Sequence, residues 1–280
     1  MARRPASRNP RTARNSTAAN DIALEARIQR MSSTVHSAEG QFGITTDEPA
    51  RVRKQYPPDG TTEGDISVLV TDGNGNPLPG EKVRFDLTYL QPKDPWRTPV
   101  GLKRLYNRHN GNGAKAEREA RNGTIRLIGT LSASSATSGR DGVATVVYRT
   151  SHIASDLSQK ARGKERVTAR LASGSTFKLD LSIGWTRLRA IQPVPQGLRV
   201  VGATGTCVDP KLQAWLKKLG ARIQQLGWPH PVTVTAASLR WGGQYPPHFT
   251  HKHGWTLDLR PMSSDGRPTW AKRDGTAKAN

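Results

Sequence analysis

The chain has 280 residues, and that length favours two domains with enough interior to build real cores. Its 43 Lys and Arg residues against 22 Asp and Glu give a formal net charge of +21, so it attracts polyanions such as nucleic acid, anionic membranes or acidic envelope polymers. A single cysteine excludes a disulfide framework and a cysteine-rich zinc site, and no apolar run of about 18 residues predicts a transmembrane helix.

The N-terminal part, residues 1 to 60, is predicted to be an arm followed by a short helix and a linker. Residues 1 to 20 hold five arginines and no acidic residue, which is typical of a disordered basic arm. No apolar segment follows the positive charge, so a signal peptide is not expected. Apolar residues at 22, 24, 28 and 31 predict a helix over residues 21 to 31, and YPPDG at 56 to 60 indicates the linker.

Residues 61 to 185 have the pattern of a β-sandwich. Short segments of alternating apolar and polar residues are separated by Gly-rich turns, with no helical period between them. In the second segment the alternation predicts Val83, Phe85 and Leu87 as inward positions. The predicted strands are ISVLVTD, EKVRFDLTYL, TIRLIGTLSA, VATVVYRTS, RVTARLAS and TFKLDLSI.

The run VTDGNGNPLPGEKVRFDL, together with TSGRDGVATVVYRT, resembles the invasin-type bacterial immunoglobulin-like domain. In that family a D-x-x-G-x-P-x-x-G turn and a later G-x-A-x-V strand recur. The resemblance implies a module that spaces or anchors other modules, and no catalysis is expected from it.

An insertion at residues 91 to 122 interrupts the sandwich and is strongly basic. Trp96 and Tyr106 lie between its charges, so it could hold nucleic acid by phosphate contacts and stacking, or it could be a solvated, mobile loop. His109 and His152 stand alone and are expected on the surface. The basic residues are Lys93, Arg97, Lys103, Arg104, Arg108, Lys115, Arg118 and Arg121.

Residues 186 to 280 follow a Pro-containing joint and predict an α+β domain. VDPKLQAWLKKLGARIQQLG predicts an amphipathic helix, with Asp209 as its cap and Pro210 in its first turn. A strand VTVTAAS follows the helix. The predicted buried stripe of the helix consists of Leu212, Leu216, Leu219, Ile223 and Leu226.

A dense group of zinc-type ligands lies within residues 238 to 262. Neutral imidazole and carboxylate are ligands of zinc, and His251 with Asp258 is the predicted ligand pair. Gly254 would allow a turn that brings the two together, before a strand WTLDLR whose apolar and polar residues face opposite sides. The other histidines of the segment are His248 and His253.

The stretch THKHGWTLD, from Thr250 to Asp258, resembles the S-x-H-x-x-G-x-x-x-D signature of the zinc peptidases that include D-alanyl-D-alanine carboxypeptidases and penicillin-insensitive murein endopeptidases. Thr250 stands in the serine position. The resemblance covers roughly residues 190 to 280 and implies that His251 and Asp258 bind Zn²⁺. It further implies that His248 is an additional active-site histidine and that Arg240 helps to hold the substrate.

The family's third ligand lies in a later H-x-H motif, and no histidine follows His253 in this chain. Three explanations are open: the chain is a truncated or interrupted form of a longer enzyme, the domain has lost its full site, or His253 or His248 completes the site. The alternative to all three explanations is that the histidines of this segment have a structural role and bind no metal.

The sequence therefore predicts a multidomain protein in which a basic arm and an immunoglobulin-like spacer carry a zinc peptidase directed at peptidoglycan. Without a signal peptide, delivery by a phage tail or secretion machine is expected, with the protein in the virion, the extracellular space or the periplasm of a target cell. Two alternatives remain: a non-catalytic structural or wall-binding component of such a machine, and a nucleic-acid-binding protein that uses the basic arm and the insertion.

Overall fold

A computed structural model of the chain describes residues 26–35, 55–91, 95–108, 111–154, 162–201, 205–246, 250–260, 270–271 and 277–278. The predicted basic arm at residues 1 to 20 lies outside the described residues. So do His109 and His248.

Two β-sheets form the first part of the described chain. One has the strand order β1-β3-β7-β5, and the other has the order β2-β9-β8-β4-β6. Neighbouring strands are antiparallel except for the β2–β9 pair, which is parallel. In chain order the strands are β1 (Arg27–Val35), β2 (Gln55–Tyr56), β3 (Glu63–Thr71), β4 (Lys82–Tyr89), β5 (Thr130–Leu131), β6 (Ser135–Thr137), β7 (Val143–Arg149), β8 (Gly163–Arg170) and β9 (Thr176–Ile183).

The two sheets share one apolar core, so the predicted β-sandwich is confirmed. Alternate residues of β3 point inward, and the same holds for Val83 and Phe85 on β4, while Leu87 is partly buried. Period-two burial of this kind is what an aligned sandwich requires, because each strand presents every second side chain to the other sheet. The largest fully buried members of this core are Tyr56, Ile66, Tyr148, Leu181 and Ile183.

The predicted helix at residues 21 to 31 is wrong where the structure describes it, because Arg27–Val35 is strand β1. This strand pairs with β3 along its length, with a register shift between Ile28 and Arg30. Met31 and Ser33 are buried, and the Ser33 hydroxyl lies 2.6 Å from the Tyr56 hydroxyl. Pairing with a distant strand supplies more hydrogen bonds and buried surface than a short isolated helix, which is marginal in water.

The predicted strand at residues 124 to 133 is also mostly wrong, since only Thr130–Leu131 forms β5. Upstream of it the backbone bonds to polar groups. Arg126 N donates to Nδ1 of His152 at 2.8 Å, and Gly129 N donates to the Glu165 carboxylate at 3.0 Å. These partners replace the ladder hydrogen bonds of a longer strand.

The insertion is a helical hairpin, not a loop. A 3-10 turn, Pro95–Arg97, leads into α1 (Pro99–Arg108), and α2 (Gly113–Arg121) follows. Asn112 caps α2 by accepting a hydrogen bond from Lys115 N at 2.9 Å. The hairpin buries Trp96, Leu102 and Tyr106 completely or nearly so, which is why it is ordered by packing and not left as a solvated segment.

The C-terminal part is built around helix α3 (Pro210–Gln225), as predicted. Asp209 is its N-cap, accepting from Lys211 N at 2.9 Å, and Pro210 occupies its first turn. Leu226 of the predicted stripe is 63% exposed, because the helix ends at the residue before it. The strands here are β10 (Arg189–Ala190), β11 (Leu198–Val200), β12 (Cys207–Val208), β13 (Val232–Ala236), β14 (Asp258–Arg260), β15 (Trp270–Ala271) and β16 (Ala277–Lys278).

A small sheet of order β11-β13-β14 supports the histidine segment, and α3 packs on it. The core between them is formed by residues of the joint, the helix and β13. Its buried members are Ile191, Leu198, Val208, Leu216, Ile223, Val234 and Ala237.

The sandwich and the C-terminal unit are joined by a core that both contribute to. Hairpin residues pack with Ala236, Leu239 and Tyr245 from the C-terminal unit. Backbone hydrogen bonds cross the same boundary: Gln244 N donates to His152 O at 2.7 Å, and Trp185 N donates to Trp241 O at 2.9 Å. The insertion therefore connects the two units structurally. None of the helices in the described part of the chain combines the length and apolar character needed to cross a bilayer.

Candidate functional site

The histidine segment follows β13 and returns to it through strand β14. β14 is antiparallel to β13, and Ala236 is the register partner of Asp258. The strand is shorter than the predicted WTLDLR, since it begins at Asp258, and Trp255 and Leu259 are 38% and 37% exposed. The short pairing fixes the backbone of Asp258 at one end of the turn.

Gly254 makes the turn between the two predicted ligands. Its φ is +76°, and an added Cβ would lie 2.3 Å from Leu188 Cδ2 and 2.8 Å from Asp209 N. Its N donates to Ser238 Oγ at 2.7 Å, and its carbonyl accepts from Asp209 N at 3.0 Å. A residue with a side chain would have a strained backbone at this φ, and its Cβ would collide with Leu188 and Asp209. The turn therefore requires glycine at this position.

His251 and Asp258 are brought together by this turn. Nε2 of His251 lies 3.2 Å from Oδ1 of Asp258. The histidine side chain is 1% exposed, whereas that of the aspartate is 47% exposed. The pair therefore has a buried imidazole on one side and a carboxylate that solvent or a ligand can reach on the other.

This pair fits two positions of a zinc site. Nitrogen and oxygen ligands bound to one tetrahedral zinc at their usual bond lengths lie roughly 3.3 Å apart, close to the separation found between His251 and Asp258. Among the described residues there is no group of three or more metal-ligating side chains. His253, a considered third ligand, packs its ring against Trp185 at 5.6 Å between centroids, and burial lowers its pKa.

Arg240 lies at the edge of the C-terminal unit, after β13. Its Nη1 donates to the carbonyl of Leu188 at 2.5 Å, and its guanidinium lies 4.2 Å from the centroid of the Trp241 ring. Burial lowers the pKa of Arg240. Its side chain is thus held in position by the joint before α3 and by an aromatic ring.

His152 is not on the surface as predicted. It is 9% exposed, and its ring fills the space above Gly60, where an added Cβ would lie 1.9 Å from Cε1. Burial lowers the pKa of His152 from 6.5 to about 4, and the charges of Lys252 and Arg126 act in the same direction. The imidazole is therefore held neutral, and its Nδ1 accepts a hydrogen bond from Arg126 N, while the backbone carbonyl of His152 accepts from Gln244 N of the C-terminal unit.

The aromatic residues of the insertion do not serve the predicted nucleic-acid contact. Trp96 and Tyr106 are 1% and 0% exposed, so neither ring can stack on a base. Arg97 is buried as well and donates Nη2 to Ile153 O at 2.9 Å. Phosphate binding by the exposed arginines of the hairpin stays a prediction.

Comparisons with known proteins found solved structures of low similarity. Neither the comparison with protein families nor that with curated proteins found a match. Among solved structures, the D00-D0 domain of intimin is similar at 14% identity and a TM-score of 0.28, over 59% of this chain and 50% of that one. A glycosyl hydrolase family 2 member from Bacteroides cellulosilyticus is similar at 11% identity and a TM-score of 0.30, over 57% of this chain and 14% of that one. The chain thus spans about half of the intimin fragment.

Proposed function

We propose that the protein is a peptidoglycan-directed zinc peptidase carried on an immunoglobulin-like sandwich and delivered by a phage or secretion machine. The observation that carries the proposal is the 3.2 Å approach of His251 Nε2 to Asp258 Oδ1 across the Gly254 turn. The residues are those of the peptidase signature, and the pair has the donor types and spacing that zinc accepts.

In this proposal His251 and Asp258 hold the metal. The role of His248 as an additional active-site histidine comes from the resemblance alone, since His248 lies outside the described residues. Zinc, when bound, would act as a Lewis acid on a peptide carbonyl and lower the pKa of a water molecule toward 7. The buried His251 imidazole would fix the position of the ion, since its ring cannot turn into solvent. Arg240 would hold a carboxylate or a developing negative charge of the substrate.

The net charge of the chain is a second argument for a cell-wall substrate. A net charge of +21 favours association with an anionic cell wall, and it raises the local concentration of the enzyme on its polymeric substrate.

Metal content of the purified chain tests the zinc assignment directly. We expect about one zinc per chain after dialysis against trace zinc, and we expect His251→Ala and Asp258→Ala each to lose it. His230→Ala is the matched control, because His230 lies in a loop away from the signature. Equal zinc in wild type and both ligand variants would refute the site.

Release of soluble muropeptides from purified sacculi tests the activity. Because the described residues bring together no group of three metal ligands, we expect weak zinc-dependent release by the 280-residue wild type and none by His251→Ala. A chain that binds zinc through His251 and Asp258 and releases nothing would instead be a wall-binding or structural component.

A further inference from the structure

Helix α3 ends in an exposed apolar tip at residues 226 to 228. Leu226 and Trp228 are 63% and 55% exposed, whereas Ile223 in the last turn of the helix is buried. Single exposed apolar side chains are common on protein surfaces, but large ones that lie next to each other mark contact sites. The tip is therefore a candidate contact surface.

The backbone of the tip is fixed by hydrogen bonds. Gly227 N donates to Gln224 O at 2.9 Å, and Trp228 N donates to Ile223 O at 3.3 Å. With Gly227 at a φ of +63°, these bonds form a Schellman motif. In this motif an apolar residue in the position of Trp228 frequently packs back on the position of Ile223. Trp228 nevertheless stays more than half exposed, so the turn holds the indole in place without burying it.

The exposed side of α3 extends the apolar tip and is basic. With 3.6 residues per turn, Trp215 and Leu226 lie within about 20° of each other around the helix axis and about 16 Å apart along it. Trp215 is 48% exposed. Lys211, Lys218 and Arg222 are exposed and lie within about 60° of Trp215 on the same side of the helix. We call this set the α3 surface: Lys211, Trp215, Lys218, Arg222, Leu226 and Trp228.

The cations of the α3 surface have no acidic partner in the described part of the chain. From residue 210 to residue 257 the sequence contains no aspartate or glutamate. No described carboxylate forms an ion pair with Lys211, Lys218 or Arg222. Arg222 donates Nη1 to Gln225 Oε1 at 3.4 Å, and this partner carries no charge. The surface therefore carries three positive charges, and an anionic surface is its electrostatic complement.

The apolar groups of the α3 surface decide which anionic partner fits it. Against an acidic polysaccharide they would stay in water, and Leu226, the most exposed of them, cannot stack on a nucleic-acid base. A second copy of the chain would set the same cations against one another, because a two-fold interface uses one patch twice. A bilayer accepts both components, since Trp and Leu enter its interface while Lys and Arg contact anionic head groups.

We propose that the α3 surface docks the protein on an anionic phospholipid bilayer. Leu226 and Trp228 enter the interfacial layer, and Lys218 and Arg222 contact the lipid phosphates. Neither zinc nor His251 takes part, so this binding can be measured whether or not the proposed peptidase activity is present.

Co-sedimentation of the full chain with lipid vesicles at physiological salt tests the proposal. We expect binding to vesicles that contain phosphatidylglycerol and much weaker binding to phosphatidylcholine alone. The double variant Leu226→Ser, Trp228→Ser should weaken the binding about tenfold or more, because two large apolar side chains no longer enter the interface. Val100→Ser is the control, since Val100 is an apolar residue of α1 that is 43% exposed, and it should bind as the wild type does.

A second comparison tests the charges of the α3 surface. Lys218→Gln should weaken binding about fivefold, the usual contribution of one lysine close to an anionic bilayer. Lys217→Gln is the matched control, because Lys217 is exposed and its loss changes the net charge equally. Lys217 lies about 140° from Arg222 around the helix, so it is farther from the lipid and its charge is screened.

Vesicles with brominated acyl chains give a readout that attraction by charges elsewhere in the chain would not produce. They should quench the tryptophan fluorescence of the wild type, and Trp228→Phe should reduce the quenching while binding is kept. Thermal melting checks that each variant is folded.

The proposal is overturned if the wild type does not prefer anionic vesicles, or if the double serine variant binds them as tightly as the wild type does. It is also overturned if Lys217→Gln weakens binding as much as Lys218→Gln, or if Trp228→Phe leaves the quenching unchanged. A double serine variant that loses affinity for a fluorescent single-stranded oligonucleotide but not for vesicles would make the α3 surface a nucleic-acid site instead.

Discussion

Gln244 of the C-terminal unit donates its side-chain amide to the hydroxyl of Tyr106 on the insertion, with Nε2 and the hydroxyl oxygen 2.5 Å apart. Both residues are buried, at 1% and 0% exposure. A polar contact in this position specifies how the hairpin and the C-terminal unit meet, because either group would be costly to bury alone.

Tyr106→Phe should lower the free energy of unfolding by about 1–3 kcal/mol, since it leaves the Gln244 amide buried without this acceptor. Urea denaturation followed by tryptophan fluorescence measures the change. Tyr89→Phe is the control: Tyr89 donates to a partly exposed Gln91, where water can replace the lost hydroxyl. Equal losses in the two variants would contradict the importance of the buried contact.

Arg97→Ala should destabilise the protein by about 3 kcal/mol or more, because it removes the buried cation beside a buried carboxylate. Arg97 Nη1 lies 3.7 Å from Oε1 of Glu165, whose side chain is fully buried and also bonded to the Tyr148 hydroxyl at 2.8 Å. Burial raises the pKa of Glu165, and Arg97 opposes this rise.

The control for Arg97 is Arg166→Ala. Arg166 pairs with Asp180 at 2.6 Å on the exposed face of the same sandwich, so its loss should cost no more than about 1 kcal/mol. Thermal or urea unfolding of both variants provides the comparison. A loss for Arg97→Ala as small as that for Arg166→Ala would show that Arg97 does not hold the insertion to the sandwich.

Stability should fall on acidification from pH 6.5 toward pH 4, in part because of His152. Its pKa is lowered from 6.5 to about 4 in the folded state, so the unfolded chain takes up the proton first and is favoured as the pH drops through this window. The effect is on the order of 3 kcal/mol across the window.

His152→Asn should flatten the pH dependence, since asparagine can still accept from Arg126 N but does not titrate. The measurement is the unfolding free energy at pH 7, 5.5 and 4.5 for both proteins. The comparison uses the slope of the unfolding free energy against pH. The absolute stability is not compared, because the smaller asparagine side chain leaves space next to Gly60. An unchanged slope in His152→Asn would assign the acid sensitivity to other groups.

Gly254→Ala should destabilise the C-terminal unit by about 2–4 kcal/mol and reduce zinc binding, because the added Cβ collides and the positive φ is strained. Gly174→Ala is the control. Gly174 has a similar φ of +89° but open space around it, so only the backbone strain of about 1 kcal/mol applies. If the two variants melt alike and bind zinc alike, the close packing at Gly254 does not matter for the site.

The sandwich strands could be predicted because their signal is local. Val83 and Phe85 alternate with polar residues, and that alternation alone places them inward. The α3 helix could be predicted for the same reason, since Asp209 and Pro210 mark its start. Both features depend on residues close together in the chain.

The errors concern segments whose structure depends on distant partners. The apolar residues at 22, 24, 28 and 31 predict a helix over residues 21 to 31, but β3 provides a pairing partner for Arg27–Val35 that local spacing does not reveal. The insertion has Leu102, Leu105 and Tyr106 at helical spacing, but its basic composition indicates a loop. In the structure these three side chains pack in one core with residues of the C-terminal unit, a surface that the local sequence does not reveal.

The candidate site also combines features that the local sequence predicts with features that depend on tertiary packing. The approach of His251 to Asp258 could be predicted because both lie on one turn with Gly254 between them. The approach of Arg162 to the Trp241 ring could not be predicted, because Arg162 belongs to the sandwich and meets this ring only through tertiary packing. The neutral, buried state of His152 likewise results from elements distant in sequence.

The core that the helical hairpin shares with Ala236, Leu239 and Tyr245 limits how such a protein can change by recombination. A crossover at the joint near residue 186 would bring in a new C-terminal unit without the surface that covers Trp96 and Leu102. Those side chains would then face water, at a cost of about 1.5–3 kcal/mol for each large apolar residue exposed. A successful exchange would therefore have to carry the hairpin with the C-terminal unit, although the hairpin lies inside the sequence of the sandwich.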